Sequence, residues 1–171
     1  MGTKHQNKRW GVVHETERRP WTDAEIDTML NELLPLDDPK KLHLTENRIA
    51  EQLGRGRVLK TVNKHYGSGR SLKPIDLALW KLASGYQRFR RYQPGARLRR
   101  TGLAWTWMEK RILRIAFDPA NDAAKEKMFG DKRPAPVTVE YISLVLQRPP
   151  EEIRTGRINI LKQFVEKGFG L

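Results

Sequence analysis

The chain is 171 residues long and carries 33 Lys or Arg against 20 Asp or Glu, a formal net charge of +13. It has no cysteine, which excludes disulfides, thiolate zinc sites and a cysteine nucleophile together. A hydrophobic content of 38% with five Trp, four Tyr and five Phe suffices for compact cores, and the length suits one domain or two small ones, since domains commonly run from about 50 to 200 residues.

Residues 1–19 are polar, basic and without periodicity, and are expected to form a flexible arm. They hold no apolar run of signal-peptide length, and nowhere in the chain do about 18 apolar residues follow one another, so neither secretion nor membrane spanning is expected. Met1-Gly2 opens like a myristoylation site, but Gln6 stands where Ser or Thr is required.

Order is expected from RPWTDAEIDTMLNELL onward. Thr22 and Glu25 have the spacing of a capping box, in which each side chain satisfies a backbone amide of the other's turn. Ile26, Met29, Leu30, Leu33 and Leu34 then repeat at helical spacing, and Pro35 and Pro39 end the run. A second helix is expected after Thr45, with Ile49, Ala50 and Leu53 on one face and Gly54 as its stop. In RGRVLKTVNKHYG, Val58, Leu59, Val62 and Tyr66 fall on one side of a third helix, while Lys60, Asn63, Lys64 and Arg57 project from the other. A helix held by such a stripe presents its polar face to a major groove about 12 Å wide. There Lys60 and Lys64 suit guanine or phosphate, and Asn63 suits adenine.

Between Gly54 and Met108 thirteen Lys or Arg face one acid, Asp76, so this block supplies nearly all of the net charge. Pro74 opens a further pattern, PIDLALWKLASGYQRFRRY, with Ile75, Leu79, Leu82, Tyr86 and Phe89 in helical register, read as a connecting helix. It runs into RFRRYQPGARLRR, where Arg88, Arg90, Arg91, Arg97, Arg99 and Arg100 occur without an acid. Arginine at this density suits phosphate or minor-groove contact, because like charges repel unless a polyanion neutralises them.

After Gly102 the pattern returns. Trp105, Thr106 and Glu109 repeat the internal spacing of Trp21, Thr22 and Glu25, with Ile112, Leu113 and Phe117 as the stripe. Residues 118–136, rich in Asp, Lys, Gly and Pro, are expected as a loop. Ile142, Ser143, Leu146 and Arg148 then repeat Ile49, Ala50, Leu53 and Arg55, and Pro150 opens a terminal helix with Glu151 and Glu152 set against its dipole.

A tryptophan opening a helix as WTxxE, followed by IAxxLxR and a basic helix, resembles the Myb/SANT family of three-helix DNA-binding repeats, here as a divergent tandem pair. The resemblance covers roughly residues 18–67 and 104–168. It implies an all-α chain of two homeodomain-like helix-turn-helix repeats, at 20–72 and 104–171, joined over 73–103 by a helix and a basic linker. The third helix of each repeat would read the major groove of one duplex. That family builds its core on three regularly spaced tryptophans, of which only the first of each set is kept, as Trp21 and Trp105. Glu46 and Val139 stand at the second position and Tyr66 and Arg157 at the third, so Leu44 and Ile158 are expected to complete the cores.

On this reading the base-contact candidates are Arg57, Lys60, Asn63, Lys64, Arg154 and Arg157. The candidates for phosphate or minor-groove contact are Arg55, Arg70, Arg88, Arg90, Arg91, Arg97, Arg99, Arg100 and Arg148. The expected core comprises Trp21, Ile49, Leu53, Val62, Tyr66, Trp105, Ile142, Leu146 and Ile153. The second reading helix begins with Glu151 and Glu152, which would face phosphates unfavourably, so a protein-contacting role for that repeat is a second expectation.

No catalytic constellation is present in the pattern. His5, His14, His43 and His65 lack metal-ligand spacing, no GxxxxGK[ST] loop occurs, and Asp37-Asp38 and Glu151-Glu152 are adjacent rather than opposed. A non-enzymatic protein without cofactor or metal is expected, with duplex DNA as partner. A protein partner of the second repeat and RNA are the alternatives, although no RNA-binding motif is evident. A nucleus or a bacterial or phage nucleoid is the expected setting.

Overall fold

The structure, a computed structural model, describes residues 20–54, 74–130 and 136–167. The expected N-terminal arm lies outside the described residues, as does the third helix of the first repeat with Arg55, Arg57, Lys60, Val62, Asn63, Lys64, Tyr66 and Arg70. The described chain is all-helical, with seven α-helices, three short 3-10 turns and no strand.

Helix α1 (Asp23–Leu33) starts at the capping box: the Glu25 amide donates to Thr22 Oγ1 and the Thr22 amide donates to Glu25 Oε1, both at 3.2 Å. Its apolar stripe, Ile26, Met29, Leu30 and Leu33, is buried. The chain then turns through Asp38-Pro39, where Asp38 Oδ1 accepts the Lys40 amide, directly into α2 (Leu42–Leu53). The expected start of α2 is therefore corrected. Thr45 is not its cap but a buried residue one turn inside, whose hydroxyl donates to the Lys41 carbonyl at 3.3 Å. Gly54 closes α2 with φ 69°, a left-handed conformation that costs glycine little. Leu44, expected in the core, is 53% exposed, while Glu46 is buried.

Helix α3 (Pro74–Ala83) is shorter than its hydrophobic period. The Tyr86 amide reaches back to the Lys81 carbonyl and the Gly85 amide to the Leu82 carbonyl, at 2.8 and 3.1 Å, with Gly85 at φ 73°. This is a Schellman stop, which ends the helix although apolar residues continue in register. Read from the sequence as a connector, α3 is a core element: Ile75, Ala78, Leu79, Leu82 and Ala83 are buried, and it packs on α4 (Trp107–Phe117) and α6 (Val139–Leu146).

The expected loop after α4 is also corrected. Asp118-Pro119 repeats the device of Asp38-Pro39, with Asp118 Oδ1 accepting the Ala120 amide, and leads into a further helix, α5 (Asp122–Phe129). Helix α5 finishes α4, because the buried Lys125 donates from Nζ to the Ala116 carbonyl at 2.9 Å and Asn121 donates to the Arg114 carbonyl at 2.7 Å. The Arg114 carbonyl also accepts the amide of the capping Asp118, at 2.9 Å, whereas Ala116 lies in the last turn, where carbonyls lack a partner within the helix.

Helix α6 is capped by Thr138 and tied to α3 by Tyr141, whose hydroxyl donates to the Leu82 carbonyl at 2.7 Å. Gln147, at φ 58°, turns the chain into α7 (Pro150–Glu166), which begins with proline in its first turn. Helix α7 lies across α4 and α6, burying Ile153 and Ile160. Gly156 permits the close approach: a Cβ there would stand 2.7 Å from Leu113 Cδ1. Ile158, expected in the core, is 52% exposed.

Of the other residues expected in the core, Ile49, Ile142, Leu146 and Ile153 are buried, whereas Trp21, Leu53 and Trp105 are half-buried at its margin. The two halves share one apolar cluster. Their junction is the N-terminus of α4, where each orphan amide finds a partner. The Trp107 amide donates to Asp37 Oδ1 at 2.9 Å, the Met108 amide to the Leu36 carbonyl at 3.0 Å and the Glu109 amide to Thr106 Oγ1 at 3.2 Å. Thr106 Oγ1 in turn donates to the Leu34 carbonyl.

Candidate nucleic-acid interface

The arrangement of surface arginines rests on a buried one. Arg148 follows the left-handed Gln147 and points into the protein, where its side chain is 0% exposed. Its Nε donates to Glu109 Oε2 at 2.6 Å and its Nη2 to Glu109 Oε1 at 3.0 Å, a bidentate pair. Nη1 donates to the Leu103 carbonyl at 2.7 Å and to Glu152 Oε1 at 3.1 Å, and Nη2 also reaches the Ala104 carbonyl at 3.1 Å. The guanidinium lies 4.2 Å from the centre of the Trp105 ring. Burial pushes the Glu109 carboxyl up, but bonds from Arg148, Arg100 and the Thr106 amide outweigh it and hold the group below the usual carboxylate range. Burial acts against the Arg148 charge, and Glu109 and Glu152 more than restore it.

This geometry corrects two expected phosphate contacts. Arg148 is wholly enclosed, and Arg100 spends its charge on the same carboxylate, at 3.2 Å from Glu109 Oε2. It also corrects the view of the acids at the start of α7. Glu152 is engaged by Arg148 and by the Gly102 amide, at 3.3 Å, so of the two only Glu151 faces outward.

The arginine-rich segment is an arch pinned at both ends. At its start Phe89 and Tyr92 are buried, and the Tyr92 hydroxyl donates to Asp27 on α1. Burial first, and then Asp27, pushes that hydroxyl well above the usual tyrosine range. The Gln93 amide donates to Asp23 Oδ2 at 3.3 Å and the Gly95 amide to Asp27 Oδ2 at 3.1 Å, so two acids of α1 hold the backbone rather than the charges. At its end the Arg100 amide donates to the Gln147 carbonyl at 2.9 Å. Together with the Gly102 and Leu103 bonds, this fixes the arch beside the first turn of α7.

Arg88 and Arg91 are exposed at the first pin, on either side of Phe89, and Arg97 and Arg99 are exposed between the two pins. Arg90 is half-buried and donates to the Pro136 carbonyl at 3.3 Å. On α7, Arg154 is exposed and lies 3.8 Å from Glu140 and 3.9 Å from Glu151, while Arg157 is exposed with its guanidinium 5.4 Å from the centre of the Phe117 ring. Lys110 and Arg114 of α4, unremarked in the sequence, line a groove of about 360 Å³ against Asn159 and Gln163 of α7. Only their helical spacing, one turn apart and opposite the buried stripe, marks them beforehand.

Among the described residues no three His, Asp or Glu side chains gather in a way that would hold a metal ion, and no helix is long and apolar enough to cross a membrane. The described chain is thus an all-helical protein with a pinned cationic surface. Comparison with protein-family models, with curated proteins and with solved structures gave no match to this chain.

Proposed function

We propose that the protein binds double-stranded DNA with sequence preference, as a divergent tandem pair of Myb-like helix-turn-helix units, in transcription or chromosome maintenance. The pinned arch carries this reading. Arg97 and Arg99 sit on backbone held at both ends, with Arg88 and Arg91 exposed at its first pin, and that backbone is bonded to the first turn of α7, the proposed reading helix of the second unit. Preorganised cations on a rigid support lose little entropy on meeting phosphates, and the counterions they displace supply the driving force. On this reading the helix-turn-helix of the second unit would comprise α6, the Gln147–Pro149 turn and α7, and the exposure of Arg154 and Arg157 supports it. In the first unit, Arg57, Lys60, Asn63 and Lys64 remain the proposed base contacts on the sequence pattern alone.

Exposed Ile158 and Val165 on α7 support a second reading, in which the second unit recruits a protein while the rest of the chain tethers it to nucleic acid. Selection from a randomised duplex library at about 150 mM salt separates the two, because non-specific affinity is weak at that salt. Enrichment of one motif, bound far better than a scrambled duplex or a structured RNA, is the expected result. Equal, salt-sensitive binding to all three would favour the tethered adaptor, and preference for the RNA would replace DNA as partner.

A further inference from the structure

The tip of the arch presents an apolar side chain in an unusual backbone state. Leu98 has φ 57° and is 41% exposed, between the exposed Arg97 and Arg99. Side chains other than those of Gly, Asn and Asp seldom take positive φ, because Cβ crowds the following carbonyl. The turn nevertheless holds it there, since the Leu98 carbonyl accepts both the Thr101 amide, at 3.2 Å, and Thr101 Oγ1, at 2.5 Å. Strain maintained by surrounding bonds, at a point where the side chain reaches solvent, places that side chain for use.

We propose that Leu98 is a wedge that enters a base step from the minor groove, with Arg97 and Arg99 on the flanking phosphates and groove walls. This inference rests on the duplex-binding reading above and adds to it a mode of DNA deformation. The charge pattern selects the occupant. Arg97 and Arg99 are repelled by a cationic surface, and the leucine between them gains nothing from a polar one. Between stacked bases its apolar surface replaces base-to-base contact, and both guanidinium groups meet anions. Apolar wedges of this kind unstack a step and kink the duplex by about 20 to 90°. The position supports it further, because residues 100–104 are bonded to the turn before α7 and to its first turn. On this proposal the arch tip accordingly sits in a minor groove beside the major groove that α7 would occupy. Pyrimidine–purine steps such as TA are the most easily opened and are the expected target.

The test uses the full chain and a duplex of alternating adenine and thymine, with 2-aminopurine replacing one central adenine and a donor–acceptor dye pair on its ends. Binding is followed separately by anisotropy. Wild type is expected to raise the 2-aminopurine emission, as the base unstacks, and to shorten the end-to-end distance. Leu98→Asn keeps a residue that tolerates positive φ, so it preserves the turn and removes only the apolar side chain. It is expected to bind the duplex and to lose both signals, whereas Leu98→Met is expected to keep them. Binding by wild type without unstacking or bending would overturn the wedge and leave duplex binding standing, as would full signals from Leu98→Asn. Absence of binding to this duplex and to randomised duplexes alike, even at low salt, or unstacking confined to the corresponding RNA duplex, would overturn both.

Discussion

Arg148 and Glu109 lie 39 positions apart in the chain and meet through two hydrogen bonds, of 2.6 and 3.0 Å, with neither side chain exposed. Glu109 is also the third residue of α4 and the acid of its capping box, and Arg148 is the first residue after the left-handed turn that ends α6. One ion pair therefore fixes the start of α4, the turn into α7 and, through the Leu103 and Ala104 carbonyls, the end of the arch.

Removing one partner leaves a buried charge with a single remaining counter-charge, Arg100 for Glu109 or Glu152 for Arg148, and a buried charge left wholly unpaired typically costs about 3 to 5 kcal/mol. Arg148→Met alone and Glu109→Gln alone are each expected to lower the unfolding free energy measured in urea by up to that order. Replacing both, as Arg148→Met with Glu109→Gln, is expected to cost distinctly less than the sum. A loss of DNA affinity by Arg148→Met without loss of stability would instead return Arg148 to the phosphate contacts.

The same pair sets an acid limit. Glu109 titrates below the usual carboxylate range when folded, so its contribution is fully present above the unfolded value near about 4.3 and is lost as pH falls through the lowered folded value. Thermal melts from pH 7 down to about pH 2.5 should show wild type losing stability below about pH 4, with Glu109→Gln losing measurably less over the same interval. Parallel curves would remove Glu109 from the acid response.

Gly156 is expected to be held by its neighbour rather than by its backbone. Alanine in a helix interior gains about 1 kcal/mol over glycine. Here its Cβ would meet Leu113 Cδ1 at 2.7 Å, and Leu113 is itself buried, so overpacking of about 1 to 3 kcal/mol opposes the gain. Gly156→Ala should destabilise wild type slightly and stabilise the Leu113→Ala background. Denaturant unfolding of the four proteins in that cycle decides it, and the same sign in both backgrounds would contradict the contact.

These contacts mark where sequence was sufficient. The starts of α1 and α4 were legible because a capping box is local, and the ends at Pro35 and Gly54 because those residues act on their own backbone. Helix α5 was not, since DAAKEKMF carries no apolar stripe and is fixed by Lys125 and Asn121 reaching carbonyls of α4. The stripe of α3 was visible, but a connector and a core helix read alike until the surfaces of α4 and α6 are known. The candidate interface divides in the same way. Composition located the arginine block, but it gave no sign that Arg100 and Arg148 turn inward, because both partners lie on elements distant in sequence or across a turn. The signal that existed was the repetition of WTxxE and of an arginine after the second helix, which placed Glu109 and Arg148 in a common pattern.

The pins of the arch are testable apart from any ligand. Asp27→Ala removes the acceptor of the Gly95 amide and of the Tyr92 hydroxyl. At a net value of about 1 kcal/mol for the partly exposed Gly95 bond, hydrogen exchange at that amide should quicken roughly fivefold. Exchange in α7 should stay unchanged. Unaltered exchange at Gly95 would mean that Asp27 does not hold the arch.

The most direct test of the central claim is a titration of duplex DNA over a range of salt, with wild type and with a variant carrying Gln at positions 88, 91, 97 and 99. If about six to eight phosphates are engaged, the slope of log K against log salt should be about −5 to −7 for wild type. Four lost contacts at about 0.9 each should reduce its magnitude by roughly 3.6 in the variant, with the fold unchanged by circular dichroism. Equal slopes for the two proteins would contradict the account, because the arch would then carry its arginines for some purpose other than phosphate.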